Sequence, residues 1–161
     1  MLIALTALAA DQATKFWVVQ NLAFGESLPR EGFFRLTHVA NTGSAFGLFG
    51  GHNLTLTVAS FVGIGVLLYF YRSHDPPTVW ARLSLGLMLA GAIGNLADRV
   101  RLGHVTDFID VGPWYIFNLA DASIVVGVVL LGATMVLAPP PRPAAPALVT
   151  VSTPGDEEYY D

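Results

Sequence analysis

Four long apolar stretches constrain this chain more than any other feature of its sequence. They occupy residues 1–19, 54–71, 79–96 and 122–138. Each approaches or reaches the roughly 20 residues that an α-helix needs to cross a bilayer, where the backbone must satisfy its own hydrogen bonds. Only 12% of the residues are charged, whereas typical soluble domains carry about 25%. The sequence therefore predicts an all-α membrane protein with four transmembrane helices.

Charge and cysteine content exclude several classes of function. The net charge is −4, but four acidic residues lie in the last six positions, so the rest of the chain is close to neutral. A nucleic-acid partner therefore has no electrostatic support. The chain has no cysteine, which excludes disulfides, thiolate metal sites and a cysteine nucleophile. The four histidines are scattered without metal-ligand spacing, so a metal site is not expected.

The segments between the apolar stretches predict one membrane domain, residues 1–138, with a small β element outside the membrane. That element lies at about residues 20–53, where Phe33–Val39 alternates like a short strand and NTGSAFGLFGG follows with turn-forming residues. The short SHDPPT connection predicts that the second and third helices are antiparallel neighbours. Residues 139–161 are rich in proline and then acidic, which predicts a disordered tail.

The first apolar stretch and the orientation of the chain each leave an alternative open. LTALAADQA resembles the end of a cleaved signal peptide. However, no basic residue precedes it and FWVV continues the apolar pattern, so a retained helix is favoured. No polar leader precedes this helix, so the start of the chain looks truncated. An even number of helices places both termini on one side, and the count of Lys and Arg alone would put them outside.

Four aspartates between residues 94 and 121 are the main candidates for chemistry, because an ionisable residue at the edge of a transmembrane helix is costly. Asp121 opens the fourth helix, where a helix cap and a functional role are equally good interpretations. Asp107 lies in VTDFIDV, and taken singly it is most simply a solvated loop residue. Asp98 is interpreted as one partner of an interfacial ion pair that ends the third helix. Asp110 precedes Val-Gly-Pro and is interpreted as a solvated turn residue.

Asp107 and Asp121 are more informative as a pair. Two carboxylates that are close together in a partly desolvated site do not both ionise easily, so they share a proton. One can then activate water as a base while the other, protonated, polarises a carbonyl, as in aspartic peptidases. Spacing alone does not decide between Asp107 and its neighbour Asp110.

Two further spacings concern helix packing. Asp11 and Lys15 are four residues apart on the first helix and are expected to pair and anchor that helix. Ala90 and Gly94 have the spacing of small residues that permits close contact between membrane helices.

Five blocks of this sequence resemble the type II signal peptidases of bacteria, also called lipoprotein signal peptidases. They are DQATK at 11–15, NTGSAFGLF at 41–49, GNLADR at 94–99, GHVTDFIDV at 103–111 and FNLADASI at 117–124. The blocks occur in the family's order and are separated by suitable apolar spans. The resemblance implies a four-helix aspartic endopeptidase with a small extracytoplasmic β element and no metal or organic cofactor.

The same resemblance implies the substrate and the site. The substrate would be a prolipoprotein, cut just before a cysteine that carries diacylglycerol, so the partners are lipid-modified signal peptides and membrane lipids. The implied catalytic residues are Asp107 and Asp121. The implied substrate-binding or supporting residues are Asn41, Gly43, Asn95, Arg99, Asn118, Ala120 and Asp11, to which Lys15 is added as the expected partner of Asp11.

The family lies in the bacterial inner membrane with both termini in the cytoplasm and the site at the extracytoplasmic face. We follow this orientation over the charge count.

Two other classes of function are alternatives. A small proton-coupled transporter or channel subunit would use intramembrane carboxylates as a relay. A relay favours acids in the middle of helices, whereas here they cluster near one membrane face. A purely structural scaffold has no use for so many polar motif residues at one interface.

Overall fold

The computed structural model describes residues 2–43, 53–73 and 78–137, and four helices dominate it. They are α1 (Leu2–Asn21), α2 (Asn53–Ser73), α3 (Val79–Leu102) and α4 (Leu119–Val136). Each is long and apolar enough to cross a membrane, and the predicted fold class is confirmed. Helix α1 runs unbroken past the signal-peptide-like LTALAADQA segment.

Helix α3 continues beyond its apolar stretch. It ends at Leu102, and Gly103 then adopts a left-handed conformation with φ of 78° while its N–H bonds to the Arg99 carbonyl. Glycine suits this position because it carries no side chain that would clash there. Asp98 therefore lies inside the helix, and the expectation that it marks the helix end is wrong.

A three-stranded antiparallel sheet packs at one end of the helices. Its strands are β1 (Ser27–Leu28), β2 (Phe34–Asn41) and β3 (Val105–Val111), in the order β1-β2-β3. The strand predicted at Phe33–Val39 is thus confirmed with slightly different ends. Strand β3 was not predicted, because VTDFIDV was interpreted as a loop. It pairs with β2 from Phe34 opposite Val111 to Asn41 opposite Val105, so both extramembrane segments form one sheet.

Helix α3 is the centre of the bundle and packs against the other three helices, most extensively against α4. Glycines permit the close approach: a side chain on Gly91 would overlap the Ala120 carbonyl oxygen, and a Cβ on Gly94 would lie 2.5 Å from Asp11 Oδ2. The close helix contact predicted from Ala90 and Gly94 is confirmed. Helix α2 is a neighbour of α3, as the short connection predicts.

A small apolar cluster fixes the sheet to the bundle. Val18 and Leu22 near the end of α1 are buried together with Phe108 of β3. Most other fully buried side chains at this junction are polar, and many helix residues that face outward are apolar, including Val125 and Val129. An apolar exterior around a polar interior is the arrangement expected for helices in lipid.

Two predictions fall largely outside the described residues. They are the disordered tail at 139–161 and most of the turn-rich NTGSAFGLFGG segment. The division into a membrane domain at 1–138 and a tail stays a prediction.

Candidate active site

Asp107 is a buried strand residue. It lies on β3 with 2% of its surface exposed, so its interpretation as a solvated loop residue is wrong. Asn41 Nδ2 donates to its Oδ2 at 2.8 Å, and Asn118 Nδ2 donates to its Oδ1 at 2.6 Å. Strand β2 supplies the first amide and the start of α4 the second, so sheet and bundle jointly hold this carboxylate.

Asp121 lies in the first turn of α4 and belongs to a capping box with Asn118. The Asp121 N–H donates to Asn118 Oδ1 at 3.0 Å, and the Asn118 N–H donates to Asp121 Oδ2 at 3.2 Å. The reciprocal bonds satisfy two donors that a helix start leaves free. Asn95 Nδ2 donates to Asp121 Oδ1 at 2.7 Å. Asp121 is therefore a cap, and its carboxylate also faces the polar centre.

Asp107 and Asp121 line one cavity of about 250 Å³, together with Asn41, Tyr115 and Ile116 among others. Burial of the Asp107 carboxyl, reinforced by the nearby Asp121 charge and opposed by the hydrogen bond from Asn41, raises its pKa to about 6. The cavity has room for several water molecules, since one occupies about 30 Å³.

The side-chain amide of Asn95 has a fixed orientation. Its Oδ1 accepts from Lys15 Nζ at 3.0 Å and from Asn118 Nδ2 at 3.2 Å. A lysine ammonium can only donate, so the oxygen must face Lys15 and the NH₂ group must face Asp121. Lys15 thereby fixes the orientation of the Asn95 amide, and with it the hydrogen bond that Asn95 donates to Asp121.

Lys15 is itself held between two carboxylates. Its Nζ lies 3.0 Å from Asp11 Oδ2 and 3.0 Å from Asp98 Oδ2, and all three side chains are at most 5% exposed. The predicted Asp11–Lys15 pair is confirmed. The expected interfacial ion pair at Asp98 is wrong, because Asp98 is buried and bonds to the cation of α1.

This charged cluster also holds backbone around the site. Asp11 Oδ1 accepts from the Ala120 N–H at 2.9 Å, and Asp98 Oδ2 accepts from the Thr106 N–H at 3.1 Å. Ala120 precedes Asp121 and Thr106 precedes Asp107. The cluster therefore positions the chain immediately before each carboxylate of the pair.

Asp110 has a different environment from Asp107. It is 3% exposed, lies 2.7 Å from Arg35 Nη2, and accepts from Thr37 Oγ1 at 2.9 Å. Its interpretation as a solvated turn residue is wrong. Burial raises the pKa of Asp110, but the hydrogen bonds from Thr37 and Arg35 and the charge of Arg35 outweigh it and leave the pKa below its ordinary value. Asp110 joins β3 to β2.

Arg99 and Gly43 complete the predicted set. Arg99 lines a cavity of about 690 Å³ with Asn41, Gly43 and Asp107, and a second of about 360 Å³ with Asn95 and Asp121. The Gly43 N–H donates to Asn41 Oδ1 at 2.8 Å, which turns the Asn41 NH₂ group toward Asp107. Gly43 has φ of +86°, and a side chain there would overlap Leu56, so this turn favours glycine.

Sequence reasoning missed several residues of the site. Gln12 Nε2 donates to Asp11 Oδ2 at 3.1 Å and to Asp98 Oδ1 at 3.3 Å. Tyr115 and Ile116 line the cavity beside Asp107, and Ser60 Oγ lies 3.4 Å from Arg99 Nη1. Gln12 belongs to the DQATK block, which was the available signal. In the described ranges, no three His, Asp or Glu side chains are grouped to hold a metal ion.

The described residues form four helices that can span a membrane. Two carboxylates line one cavity where these helices meet the sheet. Together these features define an integral membrane protein with a polar site at one end of its helix bundle. The family model described as Signal peptidase (SPase) II matches residues 3–137. The chain belongs to this family, and it is therefore a protease that crosses the bacterial membrane several times.

Individual relatives agree with this assignment. The chain is 48% identical over 124 residues to a lipoprotein signal peptidase of Dehalococcoides mccartyi, covering 74% of this chain and 78% of the relative. It is 46% identical over 132 residues to that of Moorella thermoacetica, covering 81% and 88%.

Two solved structures have the same fold, and both are described as bacterial membrane enzymes studied by the in meso method. One has a TM-score of 0.77 and 31% identity and covers 86% of this chain and 92% of its own. The other has a TM-score of 0.76 and 32% identity, with coverage of 84% and 85%.

Proposed function

We propose that this chain is an aspartic endopeptidase that removes the signal peptide from prolipoproteins, cutting before a cysteine that carries diacylglycerol. Membership of the signal peptidase II family and similarity to proteins described as lipoprotein signal peptidases support the substrate class. One observation carries the mechanism: Asp107 and Asp121 line the same cavity, and Asn118 bonds to both.

In the proposed reaction the pair holds one proton and a water molecule. The ionised carboxylate takes a proton from the water as its oxygen bonds to the scissile carbonyl carbon, while the protonated carboxyl donates to the carbonyl oxygen. The tetrahedral intermediate then collapses. The proton taken from water passes to the leaving nitrogen, the C–N bond breaks, and the pair regains its single proton.

The neighbouring amides and Arg99 have separate roles in this proposal. Asn41, Asn95 and Asn118 donate neutral hydrogen bonds that orient the carboxylates without adding charge. Arg99 faces both larger cavities and offers several donors for substrate carbonyls. Gly43, Ala120, Asp11 and Lys15 support these groups through the contacts described above.

The position of the site suits a substrate held by lipid. The carboxylates lie where the ends of α3 and α4 meet the sheet. A lipid-anchored precursor presents its scissile bond at the surface of the membrane. We place both termini in the cytoplasm and this cavity at the extracytoplasmic face.

The contacts of three basic residues weaken the argument from the Lys and Arg count, which alone would put the termini outside. Lys15 is buried with two carboxylates, Arg35 is paired with Asp110, and Arg99 lines the cavities. The remaining basic residues on the sheet side are Arg30 and Arg101, against Arg72, Arg82 and Arg142 with the termini. An excess of basic residues with the termini agrees with a cytoplasmic location for them.

The decisive experiment uses the purified full-length chain and a diacylglyceryl-modified precursor. Wild type is expected to cut before the lipidated cysteine, and Asp107→Asn or Asp121→Asn should each reduce kcat by at least about 10³-fold, as loss of an essential acid–base group does. Near-normal cleavage by either variant would contradict the pair. Vesicles containing the protein that moved protons without any peptidase activity would instead support a transporter.

A further inference from the structure

A groove runs from the aspartates into the membrane-spanning part of the bundle. It is the cavity of about 360 Å³ lined by α2, α3 and α4. On α2 it extends from Leu56 to Leu67, and on α3 from Met88 to Arg99. Each interval is eleven residue steps, or about 16 Å at 1.5 Å per residue. The groove is therefore about half as long as a hydrocarbon layer of roughly 30 Å is thick.

The two ends of the groove differ in polarity. Asn95, Arg99 and Asp121 line the end next to the sheet, whereas Leu67 and Met88 line the far end. Asp121 also lines the cavity that contains Asp107, so the groove adjoins the candidate active site. An occupant must expose polar backbone at the carboxylates and apolar side chains over about three helical turns further down. Within hydrocarbon such a segment must be helical.

Helix α2 forms an open wall of this groove. Every residue from Asn53 to Ser73 is described, and none of them is buried. Ala59 and Gly63 face the groove from α2, and Ala92 lies across from them on α3. A Cβ built on Gly63 meets no atom within 4 Å. The wall is therefore recessed at Gly63, where the side chain of an occupant has space.

We propose that Gly63 determines how large a side chain the apolar helix of the signal peptide can place against α2 in this groove. The inference rests on the proposed function, because the occupant is the segment just before the scissile bond. The polarity of the groove suits this occupant, because an apolar helix can lie along Leu67 and Met88 and place its polar end at Asp121.

Gly65 provides a matched control. It lies on the same helix, a Cβ there also meets no atom within 4 Å, and it does not line the groove. Leucine at either position enters open space and has a higher helix propensity than glycine. Neither Gly63→Leu nor Gly65→Leu should therefore disturb the fold, and thermal unfolding of both variants checks this.

Cleavage kinetics give the first test. With a precursor that carries leucine in the last three turns of its apolar segment, Gly63→Leu should lower kcat/KM by about tenfold or more, the scale of a few excess methylenes in an apolar pocket. Gly65→Leu should stay within about twofold of wild type, and alanine in place of those leucines should restore cleavage by Gly63→Leu. Unchanged kcat/KM in Gly63→Leu, or an equal loss in Gly65→Leu, overturns the inference.

Crosslinking gives a readout that does not depend on catalysis. The chain has no cysteine, so Gly63→Cys and Gly65→Cys each create a single thiol, which is smaller than leucine. In an Asp107→Asn background, oxidation with a lipidated precursor that carries one cysteine in its apolar segment should form a disulfide with position 63 and not with position 65. Equal yields, or no product at position 63, overturn the groove. A position-63 product, together with a wild-type enzyme that cleaves no precursor, would retain the groove and reject the proposed reaction.

Discussion

Asn118 Nδ2 lies 2.6 Å from Asp107 Oδ1, and this hydrogen bond links the strand carboxylate to the start of the helix that carries Asp121. Asn118 is fully buried and also forms the capping box with Asp121. One residue thus contacts both members of the proposed catalytic pair, and their relative position depends on it.

The two functions of Asn118 can be separated by substitution. Asn118→Ser retains an oxygen that can cap the helix but loses the amide donor to Asp107, whereas Asn118→Ala loses both. The alanine variant should be less stable than the serine variant by about 0.5–2 kcal/mol, the usual cost of a lost cap. Both should show strongly reduced kcat. Thermal unfolding in detergent and cleavage assays measure the two effects, and full activity in Asn118→Ser would reject a role for the amide.

Asp110 should affect stability rather than chemistry. Asp110→Asn removes the ion pair with Arg35 that joins β2 to β3. The free energy of unfolding should fall by about 1–3 kcal/mol, as for a buried charged hydrogen bond. The folded fraction should keep a near-normal kcat, in contrast to Asp107→Asn. Loss of kcat in fully folded Asp110→Asn protein would show that the wrong strand aspartate is assigned to catalysis.

The pH profile follows from the raised pKa of Asp107. Below about 6 Asp107 retains its proton, and above it Asp107 ionises and the acid is lost. We therefore expect kcat/KM to fall as pH rises through about 6. The Asn41 hydrogen bond favours the ionised form, so Asn41→Ala should move this fall to higher pH. A profile that rises across the same range would contradict the mechanism.

The same shift predicts a pH-dependent difference in stability. Because the folded state binds the Asp107 proton more tightly than the unfolded state, this contribution is present at low pH and is lost as pH rises through about 6. Asp107→Asn lacks the titration, so the variant should gain stability relative to wild type over that rise. Unfolding temperatures of both proteins measured across the range would show it, and a constant difference would argue against the raised pKa.

Lys15 should be essential for folding. Lys15→Met leaves Asp11 and Asp98 facing each other in a buried site without their cation. Removing one partner of a buried pair usually costs about 3–5 kcal/mol. Adding Asp98→Asn to the methionine variant should recover part of this loss, because one uncompensated charge is removed. Thermal unfolding of the single and double variants tests this, and additive destabilisation would contradict the buried cluster.

The helices could be predicted because their apolar stretches match the thickness of a membrane, a property of local sequence. Strand β3 could not be predicted, because it is buried on both faces and so lacks the alternation of polar and apolar residues typical of a half-exposed strand. Its polar residues Thr106, Asp107 and Asp110 are all buried beside apolar neighbours. Its pairing partner β2 starts at Phe34, 71 positions before Val105, where β3 starts. Without that pairing, carboxylates in VTDFIDV look like loop residues.

The geometry of strand β3 distinguishes Asp107 from Asp110, which the sequence spacing alone could not do. Side chains alternate between the two faces of a strand, and an odd spacing of three places these carboxylates on opposite faces. The face of Asp107 meets Asn41 and Asn118, and the face of Asp110 meets Arg35 and Thr37. The partner of Asp98 was equally hidden, because Lys15 precedes it by 83 positions on another helix.

The ion pairs of Lys15 also bear on how the protein is built during synthesis. Asp11 and Lys15 neutralise each other one turn apart, so α1 can leave the insertion machinery for lipid by itself. Asp98 of α3 has its cation on α1, so the charge of Asp98 is neutralised in the membrane only after α3 packs against α1. Removal of the N-terminal helix after synthesis would therefore leave Asp98 without its counter-charge next to the strand that carries Asp107.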